Sequence, residues 1–120
     1  EADPRVDFVT YPGLKSSPYH NLAKMIVPGG AGALFTFAVK GGYDACVKLV
    51  DHLKLFSHVA NLGDTRSLVI HSASTTHRQL SDEQRAAAGA SSNVVRLSIG
   101  IEDVRDIIAD LDQALTAATA

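Results

Sequence analysis

The five histidines are the residues of this sequence that most directly suggest chemistry, because neutral imidazoles are common metal ligands. His71 and His77 lie six residues apart, as do His52 and His58. A metal site of the metalloprotease type needs two histidines four residues apart on one helix face, and no pair has that spacing. The lone Cys46 excludes a Cys-x-x-Cys motif. The sequence therefore favours polar or capping histidines near strand ends over a metal site.

Two other catalytic motifs are absent from the sequence. A serine nucleophile of the hydrolase type would lie in a Gly-x-Ser-x-Gly turn, which does not occur. The glycine-rich run 29–32 is not followed by Lys and Ser or Thr, and it precedes a predicted strand instead of a helix. We interpret this run as a flexible turn.

Arg96 is a candidate for binding a carboxylate. It lies inside the predicted strand 94–99, and alternation places it on the face opposite Val95, Leu97 and Ile99. Removing a guanidinium from water is unfavourable unless it meets an anion, and its planar fork matches a carboxylate with two hydrogen bonds. An exposed arginine on the sheet face and an internal ion pair are the alternatives, and the residue pattern leaves all three open.

Hydrophobic periodicity predicts the elements that hold these residues. Alternation at period two predicts strands over residues 33–40, 67–71 and 94–99, and helical patterns with their caps predict helices over 19–27, 43–54, 82–88 and from 104 onward. The predicted apolar faces are Leu22, Met25 and Ile26 in the first helix, Tyr43, Val47, Val50 and Leu53 in the second, and Val104, Ile107, Ile108, Leu111 and Leu115 in the last. This order allows either a parallel α/β unit or an α+β sandwich with helices on one sheet face.

Length and composition narrow the class of protein. The 120 residues suit one domain, and 46% apolar residues with a net charge of −2 describe a globular chain without the basic excess of a nucleic-acid binder. The longest apolar run, about residues 31–39, is too short to cross a membrane. A single cysteine fits a reducing cytoplasm. Because the first residue is not Met, we expect the chain to be part of a longer protein.

Several long motifs together resemble one enzyme family. They are Tyr11–Leu14, Pro18–His20, Leu53–Asp64, His71–His77 and Val95–Asp103. In order and spacing they resemble the C-terminal part of the cysteine/methionine-metabolism family of pyridoxal-phosphate (PLP) enzymes, and within it the O-acetylhomoserine sulfhydrylases. The resemblance implies an α+β fold, the small C-terminal domain of fold-type-I PLP enzymes, with an antiparallel sheet and helices packed on one face. We expect residues 1–30 to be an extended segment and short helix leading from the PLP-binding domain, and residues 31–120 to be the substrate-binding domain.

The resemblance also implies an activity for the parent enzyme. Such enzymes replace the acetyl group of O-acetyl-L-homoserine with sulfide or a small thiol, which gives homocysteine or methionine, and PLP supplies the electron sink. The family's cofactor lysine lies in a Ser-x-Thr-Lys motif that none of the five lysines here matches. We therefore expect this chain alone to be inactive and to lack bound PLP. The family implies a homotetrameric parent, whose PLP-binding domain is the expected partner of this chain.

Three residues correspond to family positions at the substrate. Arg96 matches the arginine that binds the substrate α-carboxylate, and Asn61 matches a Ser or Asn that also reaches this group. Arg66 is a candidate at the substrate entrance, with a solvated loop charge as the alternative. The segment Asp64–Arg66 stands where cystathionine synthases and lyases usually have Gly-x-Glu, which favours the sulfhydrylase branch. A cystathionine γ-synthase or lyase and a standalone carboxylate-binding module are the competing hypotheses.

Overall fold

The computed structural model describes residues 1–120 as a five-stranded sheet with four α-helices and one short 3₁₀ turn. The strands are Val6–Thr10 (β1), Leu34–Val39 (β2), Ser57–His58 (β3), Leu68–Ile70 (β4) and Val94–Ser98 (β5). The helices are His20–Ile26 (α1), Gly42–His52 (α2), Asp82–Ala87 (α3) and Val104–Thr119 (α4), and the 3₁₀ turn is Ser72–Ser74. No helix combines the length and the apolar character that a membrane crossing requires.

The strand order β1-β2-β5-β4-β3 decides between the two folds that periodicity allows. The pairs β1–β2, β2–β5 and β5–β4 are all antiparallel, which confirms the α+β class and excludes a parallel α/β unit. The two-residue strand β3 joins β4 in parallel, so the sheet as a whole is mixed, not purely antiparallel. Strand β5 lies in the centre, with hydrogen-bonded neighbours on both sides.

The core lies on one face of the sheet, beneath α2 and α4. Inward residues of the central strands, such as Phe37, Val95 and Leu97, form one buried cluster with Leu49 of α2 and Leu115 of α4. The alternation predicted for β2 and β5 is therefore confirmed, because these residues share the helix-covered face. Burial of this apolar surface is the main term that stabilises the fold.

The buried faces of the helices match those predicted only in part: Val50, Leu53, Ile107 and Leu115 are buried as predicted, and the rest differ. Val104 and Ile108 of α4 are 64% and 60% exposed, while α4 buries the small residues Ala114 and Ala118 where it packs against α2. In α2 the buried residues are Ala45, Cys46, Leu49 and Val50, Tyr43 is exposed and Val47 is half-buried. Helix α1 buries nothing, so Leu22, Met25 and Ile26 are all exposed. Besides the large residues of the predicted faces, the close approach of α4 to α2 buries small side chains that hydrophobicity alone does not single out.

Local capping signals are confirmed. The Ser81 hydroxyl accepts from Gln84 N at 3.3 Å, and the Gln84 side chain accepts from Ser81 N at 2.9 Å, which is a complete capping box for α3. The Asp103 carboxylate accepts from Arg105 N at 2.8 Å at the start of α4. Both signals need only residues within one helical turn, which is why the sequence shows them.

Two strands were not predicted. Strand β1 lies in the segment expected to be extended, and it pairs with β2 through Val9 opposite Phe37. Its alternation is weak because the pairing register shifts between Val6 and Phe8, and because β1 has a neighbour on only one side. Strand β3 has two residues, which is too short for a periodic signal.

Candidate functional site

Arg96 lies at the centre of the sheet, on the face away from α2 and α4. In β5 it stands between Thr36 of β2 and Ile70 of β4. Its neighbours Val95 and Leu97 are fully buried in the core, whereas Arg96 is half-buried. The predicted orientation is therefore correct: the strand alternation directs the guanidinium to the face opposite Val95, Leu97 and the two long helices.

The guanidinium of Arg96 has no carboxylate partner within the chain. The five ion pairs involve Arg5, Arg66, Arg85 and Arg105. This excludes the internal ion pair as an explanation for Arg96. A half-buried guanidinium with its hydrogen-bond donors uncommitted is chemically suited to an external carboxylate, which accepts two of its N–H groups.

The loop over residues 59–66 contains Asn61 and reaches the end of β5, the strand that carries Arg96. Asn61 is exposed, and its Oδ1 accepts a hydrogen bond from Leu62 N at 2.9 Å. Gly63, which has a φ of 74°, directs its N–H to the Ser98 hydroxyl at 3.4 Å. Ser98 is two residues beyond Arg96 in β5 and therefore lies on the same face. The structure thus joins the loop that contains Asn61 to the strand that contains Arg96.

Arg66 is held by its own loop. Its Nε and Nη2 donate to the two oxygens of Asp64 at 3.2 and 3.0 Å, and its backbone N–H donates to Asp64 at 2.8 Å. These bonds lower the pKa of the Asp64 carboxyl to about 2. The side chain is 63% exposed, so within this chain Arg66 has the environment of a solvated loop charge.

A hydrogen-bonded cluster behind the 59–66 loop was not identified from the sequence. Both carboxylate oxygens of Glu102 accept bonds from Ser67, one from the backbone N–H and one from the hydroxyl, each at 2.8 Å. Gly100 N donates to the Ser67 hydroxyl at 2.9 Å. The backbone bond from Ser67 holds the pKa of Glu102 below its ordinary value. Only the pairing of residues 35 positions apart shows this cluster, and no local spacing signals it.

His71 is a buried polar residue that follows β4. Its Nε2 lies 2.8 Å from the carbonyl oxygen of Ser92, its Nδ1 lies 2.9 Å from the Ser74 hydroxyl, and Tyr43 packs edge-on at 5.0 Å. Burial lowers the pKa of His71, so the ring is neutral at pH 7 and its Nε2–H donates to the carbonyl. No three His, Cys, Asp or Glu side chains converge as metal ligands do. His71 therefore has the structural role at a strand end that the spacing of the histidines favours.

Comparisons with known proteins support the motif analysis. Residues 1–116 match the family described as "Cys/Met metabolism PLP-dependent enzyme". The chain is 53% identical over 112 residues to O-acetyl-L-homoserine sulfhydrylase 1 of Thermus thermophilus, which covers 93% of this chain and 27% of that protein.

Two solved structures have the same fold. One is from Campylobacter jejuni, described as an O-acetylhomoserine (thiol)-lyase with N'-pyridoxyl-lysine-5'-monophosphate; it is 45% identical, with a TM-score of 0.88 over 96% of this chain and 27% of that chain. The other is cystathionine gamma synthase from Xanthomonas oryzae in complex with cystathionine, 41% identical, with a TM-score of 0.87 over 98% of this chain and 30% of that chain. The chain thus spans less than a third of the length of these proteins.

Proposed function

We propose, since this chain belongs to the Cys/Met metabolism family of PLP-dependent enzymes, that it is the substrate-carboxylate-binding part of an O-acetylhomoserine sulfhydrylase. The observation that carries the proposal is Arg96, a half-buried arginine in the central strand without a carboxylate partner in the chain. The 53% identity to the Thermus thermophilus sulfhydrylase supports the choice of branch.

The proposed reaction is a replacement at the γ carbon of O-acetyl-L-homoserine. The bond between Cγ and the ester oxygen breaks, acetate leaves, and sulfide or a small thiol forms the new Cγ–S bond. The product is homocysteine with sulfide, or methionine with methanethiol. In the parent enzyme PLP supplies the electron sink for this chemistry, and the residues of this chain bind and orient the amino acid.

Arg96 is proposed to hold the α-carboxylate of the substrate through two parallel N–H···O bonds. Because β5 is hydrogen-bonded on both sides, the guanidinium projects from a rigid element. A carboxylate fixed in this way determines which Cα bond is aligned for reaction, so a displaced carboxylate lowers the rate as well as the affinity.

Asn61 and Arg66 are proposed to complete the substrate side of the site. Since Asn61 Oδ1 already accepts from Leu62 N, its amide NH₂ remains to donate to a carboxylate oxygen. Arg66 is proposed to border the entrance, where its pairing with Asp64 limits its reach toward the substrate.

We propose that this chain does not supply the lysine that attaches PLP in the parent enzyme. All five lysines are exposed at the surface, and none lies in the Ser-x-Thr-Lys context of the family's cofactor lysine. We propose that the lysine and the pyridine-ring contacts belong to the rest of the parent enzyme. Titration of the 120-residue chain with PLP, followed by borohydride and peptide mapping, tests this point, because saturable labelling of one lysine by a single equivalent of PLP would contradict it.

Variants of Arg96 in the full-length parent test the carboxylate role. Arg96→Ala should lower kcat/KM for O-acetylhomoserine by about 10²–10⁴-fold, because two charge-assisted hydrogen bonds are lost. Arg96→Lys should recover only part of this loss, since a lysine keeps the charge without the fork. Arg105→Ala is the matched control, because Arg105 is exposed and pairs only with Asp103. A change below threefold for Arg96→Ala would refute the assignment.

A cystathionine γ-synthase remains the second candidate, favoured by the TM-score of 0.87 with the Xanthomonas oryzae enzyme. Initial rates of the parent with sulfide and with cysteine as the thiol donor separate the two, because faster turnover with cysteine would support the synthase. A standalone carboxylate-binding module predicts instead that the 120-residue chain binds O-acetylhomoserine tightly in calorimetry. We further propose that the parent is a cytoplasmic homotetramer. The mass of the purified full-length enzyme in solution tests the number of subunits, and cell fractionation tests the location.

A further inference from the structure

The two proposed carboxylate contacts lie on different elements, so something must hold the elements together. Arg96 is in β5, whereas Asn61 is in the exposed 59–66 loop. A loop of this length with polar, exposed residues is mobile unless it is tied down. The contacts that tie it down therefore determine whether both groups can reach one carboxylate.

The cluster of Ser67, Gly100 and Glu102, which we name the loop clasp, joins the end of this loop to the turn after β5. Glu102 binds both the N–H and the hydroxyl of Ser67 at 2.8 Å. Ser67 is fully buried, and its hydroxyl also accepts from Gly100 N at 2.9 Å. The Ser67 hydroxyl thus both donates to and accepts from residues of the turn after β5.

The backbone contacts around the clasp are equally close. Ile101 N donates to the carbonyl oxygen of Thr65 at 2.9 Å. A Cβ added to Gly100 would lie 2.2 Å from that same oxygen, which is closer than any real contact. Glycine at position 100 is therefore required for the loop and the turn to approach this closely.

The charge of Glu102 has no cationic partner within the chain. Its neighbours in sequence and space, Asp103 and Asp64, each pair with their own arginines. Both Glu102 oxygens instead accept hydrogen bonds from Ser67. The carboxylate therefore holds Ser67 in place and neutralises no positive charge. Apart from the clasp, the loop is joined to β5 by the hydrogen bond of 3.4 Å from Gly63 N to the Ser98 hydroxyl, and the pairing of β4 with β5 begins only at Leu68.

We propose that Glu102 is a positioning residue, which through Ser67 holds the 59–66 loop so that Asn61 and Arg96 reach the same substrate carboxylate. This inference rests on the proposed function for its substrate, and on the hydrogen bonds above for its geometry. Glu102 does not touch substrate; it acts through the loop.

Variants of the full-length parent holoenzyme test the proposal. Glu102→Ala should raise KM for O-acetylhomoserine and lower kcat, with a combined loss of about 10–100-fold in kcat/KM, the effect expected for a displaced orienting group. Glu102→Gln should lose clearly less than Glu102→Ala, because the amide oxygen can still accept from Ser67 N while the Ser67 hydroxyl loses its acceptor. Gly100→Ala perturbs the same contact from the other side and should reproduce the Glu102→Ala loss.

Asp103→Asn is the matched control, since this neighbouring carboxylate pairs only with Arg105 and the start of α4. It should leave KM unchanged. Amide hydrogen exchange provides a readout that is independent of turnover: Glu102→Ala should speed exchange at Ser67 and Gly100, and Asp103→Asn should not. A role in stability alone would reduce the concentration of active sites and leave KM unchanged.

The outcomes separate the two proposals. If the wild-type parent does not use O-acetylhomoserine, or if Arg96→Ala changes kcat/KM by less than threefold, the proposed function fails while the exchange experiment still tests the clasp. Unchanged exchange in Glu102→Ala would overturn the clasp. Faster exchange with unchanged KM, or a Glu102→Gln variant as impaired as Glu102→Ala, would overturn the positioning role.

Discussion

Replacing Asp110 by alanine should lower the free energy of unfolding by about 2–4 kcal/mol. Asp110 is an α4 carboxylate that is only 8% exposed, and it accepts from Lys54 N at 3.0 Å and from Leu55 N at 2.7 Å. Gln113 Nε2 donates to it at 3.0 Å. It therefore caps the backbone that leaves α2 and leads to the 59–66 loop.

The magnitude follows from the two backbone N–H groups that lose their acceptor. An unsatisfied buried donor costs about 1–3 kcal/mol, which would give about 2–6 kcal/mol for the pair. A surface groove of about 420 Å³ lined by Asp110, Lys54 and Leu55 lets water reach the vacated position and replace part of the bonding. We therefore expect a value in the lower half of that range.

Equilibrium urea denaturation of the 120-residue chain, followed by circular dichroism at pH 7, measures this difference. Asp110→Asn keeps one acceptor oxygen and should lose about half as much. Asp112→Ala is the control two residues along α4, because its 67% exposed carboxylate forms a surface pair with Arg5 that contributes at most about 1 kcal/mol. If Asp110→Ala and Asp112→Ala unfold at the same urea concentration, the capping argument is wrong.

Three further predictions concern pH, thiol reactivity and helix capping. Arginine partners lower the pKa of Asp3 and of Asp64 to about 2, so between about pH 4 and pH 2 the unfolded chain binds more protons than the folded chain. Stability should therefore fall as the pH is lowered through this window, and a constant urea midpoint from pH 5 to pH 2 would contradict it. Burial raises the pKa of the Cys46 thiol to about 12, so an aromatic disulfide reagent at pH 8 should label it only after unfolding, and immediate labelling of the folded chain would refute this. Ser81→Ala removes the hydroxyl that accepts from Gln84 N and leaves the bond from the backbone N–H of residue 81 to Gln84, so it should cost about 1 kcal/mol in urea denaturation, with no change expected if α3 does not depend on its cap.

Much of the fold was predictable because its signals are local. Periodicity over about a dozen residues locates α2 and β5 to within two residues at each end, and the start of α3 follows from the spacing of Ser81 and Gln84. The orientation of Arg96 follows from strand alternation alone. Strand β1 escaped prediction because a shift of register interrupts its alternation.

The candidate site was predictable only in part. The family motifs identify Arg96 and Asn61 as proposed carboxylate contacts, and the structure adds that no carboxylate of the chain neutralises Arg96. The loop clasp and the Asp110 cap depend on contacts between residues 35 and 55 to 56 positions apart. No local pattern encodes such pairs, because both partners are ordinary surface residue types until the chain brings them together.

Sequence information alone therefore sufficed for the family, the face on which Arg96 lies and the types of all α-helices and strands except β1 and β3, since periodicity, caps and motifs are properties of neighbouring residues. Only the tertiary structure determined the sheet order, the exposed faces of α1 and α4, and the burial of Asp110. It also placed Ser67 against Glu102. These features arise when elements distant in the chain exclude water between them, so that hydrogen bonding and close packing are determined by the assembled sheet and helices.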